Sequence, residues 1–132
     1  MNKFLYEFIN TDAGEENISN LYFLLPGVLA EVILTKKYYQ KNIELKSFAA
    51  EVLKKEYLDY LFAARPAVYS RIVRDLIKLR DENKKEAFKV IKNIQKFVES
   101  FEVESNQSKL KKKTSDPIDE WRNIINPKIK GE

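Results

Sequence analysis

The hydrophobic pattern of the first forty residues predicts short helices separated by breaks. Phe4, Leu5 and Phe8 lie at helical spacing and predict a first helix that ends near Asn10. Proline followed by glycine at Pro26-Gly27 is expected to interrupt the next apolar stretch, because proline lacks the amide hydrogen that a helix interior needs. The helices predicted here span residues 4–10, 15–24 and 28–39, and an extended conformation is the alternative for the entry to the third, at Leu24-Leu25-Pro26-Gly27-Val28.

A continuous apolar face from Leu45 to Ala64 follows, with residues at i, i+3 and i+4 spacing. It predicts one helix of about five turns. Pro66 is placed to begin another helix, whose apolar positions run to about Leu79. From Lys84 onward the apolar residues follow the four-three step of a heptad seam. We interpret this seam as intrachain core, because it is too short for an independent coiled coil; it comprises Ala87, Ile91, Ile94, Val98 and Phe101.

After Val103 the composition becomes polar, which predicts a flexible basic linker over residues 104–116. Pro117, placed after the natural N-cap Asp116, then begins a predicted short helix within a docking segment, residues 117–132. Its apolar residues suit either a groove on a protein partner or the protein's own core. The candidate partner-docking residues are Ile118, Trp121 and Ile125.

These patterns predict an all-α protein: a single bundle of five or six helices over residues 1–103, followed by the linker and the docking segment. The scarcity of turn residues supports this fold class, because 3 Gly and 4 Pro do not supply the turns of a many-stranded sheet. The predicted core residues are Leu45, Phe48, Val52, Tyr57, Leu61, Ile72, Val73, Leu76, Ile91, Ile94 and Val98.

The chain contains neither cysteine nor histidine, which removes disulfides, the usual zinc sites and every triad that depends on those residues. No catalytic residue, metal site or cofactor is predicted, and we expect a non-enzymatic protein. A nuclease that uses carboxylates from separate parts of the chain is an alternative that no sequence motif supports. The most apolar stretch, residues 21–34, contains Pro26 and Glu31 and is shorter than a membrane-spanning helix. We expect a cytoplasmic protein without a membrane partner.

Positive charge is concentrated in the middle of the sequence. Residues 1–64 carry seven basic and nine acidic side chains, whereas residues 65–96 carry ten basic and four acidic ones. Within the second range the basic residues recur at helical spacing, which places them on stripes of two consecutive helices. The candidate nucleic-acid-binding residues are Arg65, Arg71, Arg74, Lys78, Lys85, Lys89, Lys92 and Lys96.

Basic stripes favour binding to a nucleic-acid backbone, because neutralised phosphates release their condensed counterions. We therefore expect a subunit that holds DNA or RNA without reading its sequence, within a larger protein or ribonucleoprotein assembly. Small helical subunits of CRISPR-type effector complexes are similar in size and charge, although no motif connects this chain to them. A solvated lysine-rich surface is the plainer interpretation of the same charges. The alternatives are a protein-interaction adaptor that docks through its tryptophan-containing segment, and a helix-turn-helix DNA-binding regulator.

Overall fold

The computed structural model of the protein describes residues 3–114, with side chains up to Glu104. These described residues divide into two units, one up to Glu99 and one from Ser100 onward. Within the described residues the secondary structure is entirely helical, which confirms the predicted all-α class. The helices are α1 (Lys3–Asn10), α2 (Ile18–Ile33), α3 (Leu45–Glu51), α4 (Arg65–Glu82) and α5 (Lys84–Thr114), with 3₁₀ turns at Asn42–Glu44 and Asp59–Ala63.

Helix α1 forms where the sequence predicts it. Leu5 and Phe8 are fully buried, so one face of this short helix is anchored in the core. Its last turn is closed by the side chain of Asn10, which donates a hydrogen bond of 2.9 Å to the carbonyl of Tyr6. The hydroxyl of Thr11 donates in the same way to Glu7, and these bonds satisfy carbonyls that the end of a helix leaves free.

Helix α2 is continuous through Pro26, so the predicted break at that position is wrong. Proline inside a helix costs about 3 kcal/mol, because a backbone hydrogen bond is lost and the ring crowds the preceding turn. Apolar side chains on both sides of Pro26 oppose this cost, since Leu25 and Leu29 are almost completely buried. The helix therefore continues through Pro26 because the packing of its apolar side chains outweighs the local preference of proline.

Helix α3 ends at Glu51, and the single helix predicted up to Ala64 is wrong. Leu45, Phe48 and Val52 are buried as predicted, but Lys54 has a φ of 58°, which turns the chain out of the helix. The chain then runs without regular structure to the 3₁₀ turn Asp59–Ala63. Val52 to Ala64 therefore separate α3 from α4, a longer connection than the three- or four-residue turn of a helix-turn-helix.

Helices α4 and α5 follow one another with Asn83 alone between them. Helix α4 carries Pro66 in its first turn, as predicted. The side chain of Asn83 accepts a hydrogen bond of 3.3 Å from the amide of Glu86, so Asn83 caps the start of α5. This one residue ends one helix and begins the next.

The core of the first unit lies where the apolar faces of these helices meet. The predicted seam of α5 is buried within the chain itself from Ala87 to Val98, which confirms it as intrachain core. Three other predicted core residues, Tyr57, Leu61 and Val73, are only half-buried. The largest fully buried side chains include Phe8, Phe48, Leu21, Leu29, Ile72 and Ile91.

Helix α5 continues to Thr114, so residues 104–114 of the predicted linker are helical. The composition of that stretch predicted a segment without structure, but its lysine and glutamine residues have good helix propensity and Pro117 lies beyond it. The predicted docking segment, residues 117–132, lies outside the described residues. Among the described residues, no helix has both the length and the apolar character that crossing a membrane requires.

Candidate functional site

The lysines of the second predicted stripe lie on α5. Lys85, Lys89, Lys92 and Lys96 are all exposed, and their spacing of four, three and four residues places them on one side of the helix. The opposite side of α5 carries the buried seam, so the core orients the stripe toward solvent. Within the stripe, Lys89 Nζ lies 3.4 Å from Glu86 Oε1.

Two further lysines approach the stripe from the end of α3, and sequence reasoning missed both. Lys54 and Lys55 follow the buried Leu53, in the stretch that the sequence pattern assigned to a continuous helix. The amide of Lys55 donates a hydrogen bond of 2.9 Å to the carbonyl of Ala49, which closes the chain back onto α3. The basic pair itself was visible in the sequence, but the turn that directs it toward α5 was not.

The backbone at Lys54 is strained. Its φ of 58° lies in the left-handed region, where a side chain costs about 1 kcal/mol or more and glycine is the usual residue. It is the one residue other than glycine with a positive φ in the described part of the chain. A lysine therefore occupies a position that helix termination alone would give to glycine.

A cavity of about 460 Å³ lies between this turn and α5. Leu53, Leu79 and Val90 supply its apolar lining. Asn93 also lines the cavity, and its side-chain amide donates a hydrogen bond of 3.1 Å to the carbonyl of Val52. The charged lining consists of Lys54, Lys55, Lys89, Lys92, Lys96 and Glu86.

A second cavity, of about 260 Å³, adjoins the first, because Lys55 and Leu79 line both. Arg71 and Lys78 of α4 line it together with the carboxylates of Asp75 and Glu82. The two cavities thus join α4, the turn after α3 and α5 into one surface with seven cationic and three acidic side chains. We call it the basic surface; its cations are Lys54, Lys55, Arg71, Lys78, Lys89, Lys92 and Lys96.

One of these cations is partly offset by a neighbouring carboxylate. Arg71 Nε lies 3.3 Å from Asp75 Oδ2, and the same oxygen accepts a hydrogen bond of 2.6 Å from the hydroxyl of Tyr57. The Arg71 guanidinium lies 5.2 Å from the centre of the Tyr57 ring, within the range of a cation–π contact. Burial, reinforced by the bond to Asp75 and by its charge, raises the pKa of Tyr57 above its ordinary value. The phenol is therefore a stable donor at neutral pH.

Arg65, a predicted nucleic-acid ligand, does not lie on the basic surface, because it is buried with 7% of its area exposed. Its Nη1 donates hydrogen bonds of 3.1 and 2.7 Å to the carbonyls of Ile33 and Thr35, and Nη2 donates one to Tyr39. Its Nε donates to Asn42 Oδ1 at 2.8 Å. The guanidinium thus satisfies carbonyls at the end of α2 and in the loop after it, and it has a structural function.

Three other residues in the basic range 65–96 line neither cavity of the basic surface. Arg74 is exposed but lines a separate, mainly apolar cavity with Tyr69, Val73 and Ile77. Tyr69 turns toward α2, where its hydroxyl donates a hydrogen bond of 3.0 Å to the carbonyl of Pro26. Lys85 shares the α5 stripe but lines neither cavity of the basic surface.

The predicted docking residues Ile118, Trp121 and Ile125 lie outside the described residues. Among the residues that the structure describes, no group of three or more carboxylates is arranged to hold a metal ion.

No protein-family model, curated protein or solved structure matches the chain.

Proposed function

We propose that the protein is a non-enzymatic, cytoplasmic subunit that holds a nucleic-acid backbone on the basic surface without reading its sequence. In this proposal it works within a larger protein or ribonucleoprotein assembly. The observation that carries the proposal is the convergence of cations from three separate elements on two adjoining cavities.

Electrostatics supports a polyanion as the ligand. Cations outnumber carboxylates seven to three on this surface, so the excess positive charges repel one another in the free protein. A ligand with regularly spaced phosphates turns the repulsion into attraction, and the released counterions make the affinity strongly dependent on salt.

The composition of the surface supports backbone contact rather than base readout. Six of the seven cations are lysines, which act as mobile point charges. The one arginine, Arg71, is held by Asp75 and Tyr57 rather than presented as a free planar fork. Specific readout usually depends on several arginine, asparagine or glutamine side chains fixed toward base edges, and Asn93 is the one amide side chain that lines the two cavities.

Fluorescence anisotropy with a labelled oligonucleotide at several salt concentrations tests the proposal. Changing Lys89 and Lys92 to glutamine removes two positive charges from the surface. We expect the affinity to fall about tenfold at low salt, and the slope of log K against log salt to decrease by about 1.4 for a single strand. The matched control changes Lys3 and Lys36 to glutamine, because both are exposed and line neither cavity.

Equal losses in the two double variants would point to diffuse attraction by net charge and contradict the proposal. The competing proposal is an adaptor that binds a protein through Ile118, Trp121 and Ile125. It predicts no oligonucleotide binding by the intact chain, and loss of a protein partner when residues 105–132 are removed.

A further inference from the structure

We propose that the larger cavity of the basic surface accepts a nucleobase, so that the protein binds single-stranded nucleic acid in preference to a duplex. The inference rests on the proposed function and goes beyond it, because it specifies the form of the strand.

The lining of the cavity differs from what backbone contact alone requires. Phosphates need only cations, yet Leu53, Leu79 and Val90 give the interior an apolar surface. Half-buried Leu79 presents apolar area to the cavity, whereas Leu53 and Val90, with 2% and 5% of their area exposed, form its floor and belong to the core. An apolar lining favours a flat, weakly hydrated group such as a base.

Size and polarity also fit a base. A cavity of about 460 Å³ lies within the range of small-ligand pockets and is larger than one nucleobase needs. The Asn93 amide, oriented by its bond to Val52, adds a polar group that can pair with the edge of a base.

The cations around this lining are placed for the flanking phosphates. Lys54 and Lys55 come from the turn after α3, whereas Lys89, Lys92 and Lys96 come from α5. A strand that inserts one base between the two elements would therefore meet cations on both sides. A duplex keeps its bases stacked and paired, so it reaches the lysines without entering the cavity.

The experiment uses three labelled probes on the full-length protein: a twelve-nucleotide oligothymidylate, an all-abasic strand of the same length, and a twelve-base-pair duplex. The abasic strand keeps the phosphates and lacks every base. We expect oligothymidylate to bind about tenfold more tightly than the abasic strand and more tightly than the duplex. The abasic strand should still bind with strong salt dependence.

A cavity-filling variant adds a second measurement. Leu79→Trp places a large ring where the two cavities meet, and Val73→Trp makes a comparable change at a half-buried position on the other side of α4. We expect L79W to bind oligothymidylate only as tightly as the abasic strand, while V73W binds like the unchanged protein.

Equal affinity for oligothymidylate and the abasic strand would overturn the base-binding cavity and leave the proposed function standing. Duplex binding as tight as single-strand binding would overturn it as well. Absence of binding to all three probes would instead refute the proposed function. Because the probe comparison uses the unchanged protein, it tests the base-binding proposal even if L79W fails to fold.

Discussion

The hydroxyl of Tyr57 donates a hydrogen bond of 2.6 Å to Oδ2 of Asp75. The bond ties the irregular chain after α3 to α4, and it holds a carboxylate beside Arg71 in the basic surface. The same contact thus stabilises the fold and weakens the positive potential of the surface.

Replacing Asp75 with asparagine should therefore change stability and affinity in opposite directions. The free energy of unfolding should fall by about 1 kcal/mol, because the hydrogen bond loses its charged acceptor. Oligonucleotide affinity at low salt should rise about threefold, because a negative charge leaves the surface. Urea unfolding and anisotropy titration measure the two effects. Asp81→Asn is the control, since Asp81 is exposed on the same helix and lines neither cavity; an equal gain there would contradict the prediction.

Lys54→Gly should stabilise the protein and weaken its binding. Glycine adopts the φ of 58° without strain, so we expect the free energy of unfolding to rise by about 0.5–1 kcal/mol. Loss of a cation from the cavity should lower oligonucleotide affinity severalfold at low salt. Lys55→Gly removes the neighbouring cation, but Lys55 has no positive φ, so that variant should lose both stability and affinity. Destabilisation by Lys54→Gly would show that the left-handed conformation carries no strain.

Arg65→Lys should destabilise the fold although it keeps the charge. A lysine ammonium cannot reproduce the planar fork that reaches carbonyls of Ile33, Thr35 and Tyr39. Leaving buried acceptors unsatisfied costs about 1–3 kcal/mol each, so we expect a loss of at least about 2 kcal/mol in urea unfolding. Arg74→Lys, at an exposed position, should change stability by less than about 0.5 kcal/mol. Similar unfolding curves for the two variants would refute the structural function of Arg65.

Stability should fall at high pH, partly through Tyr22. Burial raises the pKa of this phenol to about 12, from 10.0 for an exposed tyrosine. The unfolded chain therefore releases this proton first, and the contribution of Tyr22 is intact below pH 10 and lost as the pH rises toward 12. The slope for one such proton is about 1.4 kcal/mol per pH unit.

Urea unfolding at pH 9, 10 and 11 measures this loss. Tyr22→Phe also removes the hydrogen bond to the carbonyl of Leu76, so it should be less stable than the unchanged protein at pH 9. The difference should shrink as the pH rises. Tyr6→Phe, at an exposed position, should follow the unchanged protein throughout. A constant difference between Tyr22→Phe and the unchanged protein would contradict the assignment.

The fold class and several helices were predictable because they depend on periodic burial, which the sequence displays directly. The seam from Ala87 to Val98 and the start of α4 at Pro66 are of this kind. The errors at Pro26 and Lys54 have a different origin. In α2 the burial of neighbouring leucines outweighs the cost of a proline inside the helix. After α3 the chain turns without a glycine that would indicate the turn in the sequence, and tertiary contacts of Tyr57 accompany this turn.

The basic surface was predictable in part, for the same reason. Helical spacing placed the α5 lysines on one stripe, since that requires only a helix. It could not show that Lys54 and Lys55 approach this stripe, because their position depends on where α3 ends. Nor could spacing along one helix show that Arg65 is buried, since its partners lie more than twenty residues earlier in the chain.

The hydrogen bonds of Arg65 have a consequence for local opening of the chain. The segment between α2 and α3 lacks regular structure except for its 3₁₀ turn, and such loops usually open independently of the core. Here the carbonyls of Thr35 and Tyr39 are bonded to a side chain at the start of α4. We therefore expect the middle of this loop and the first turn of α4 to open together as one cooperative unit rather than residue by residue.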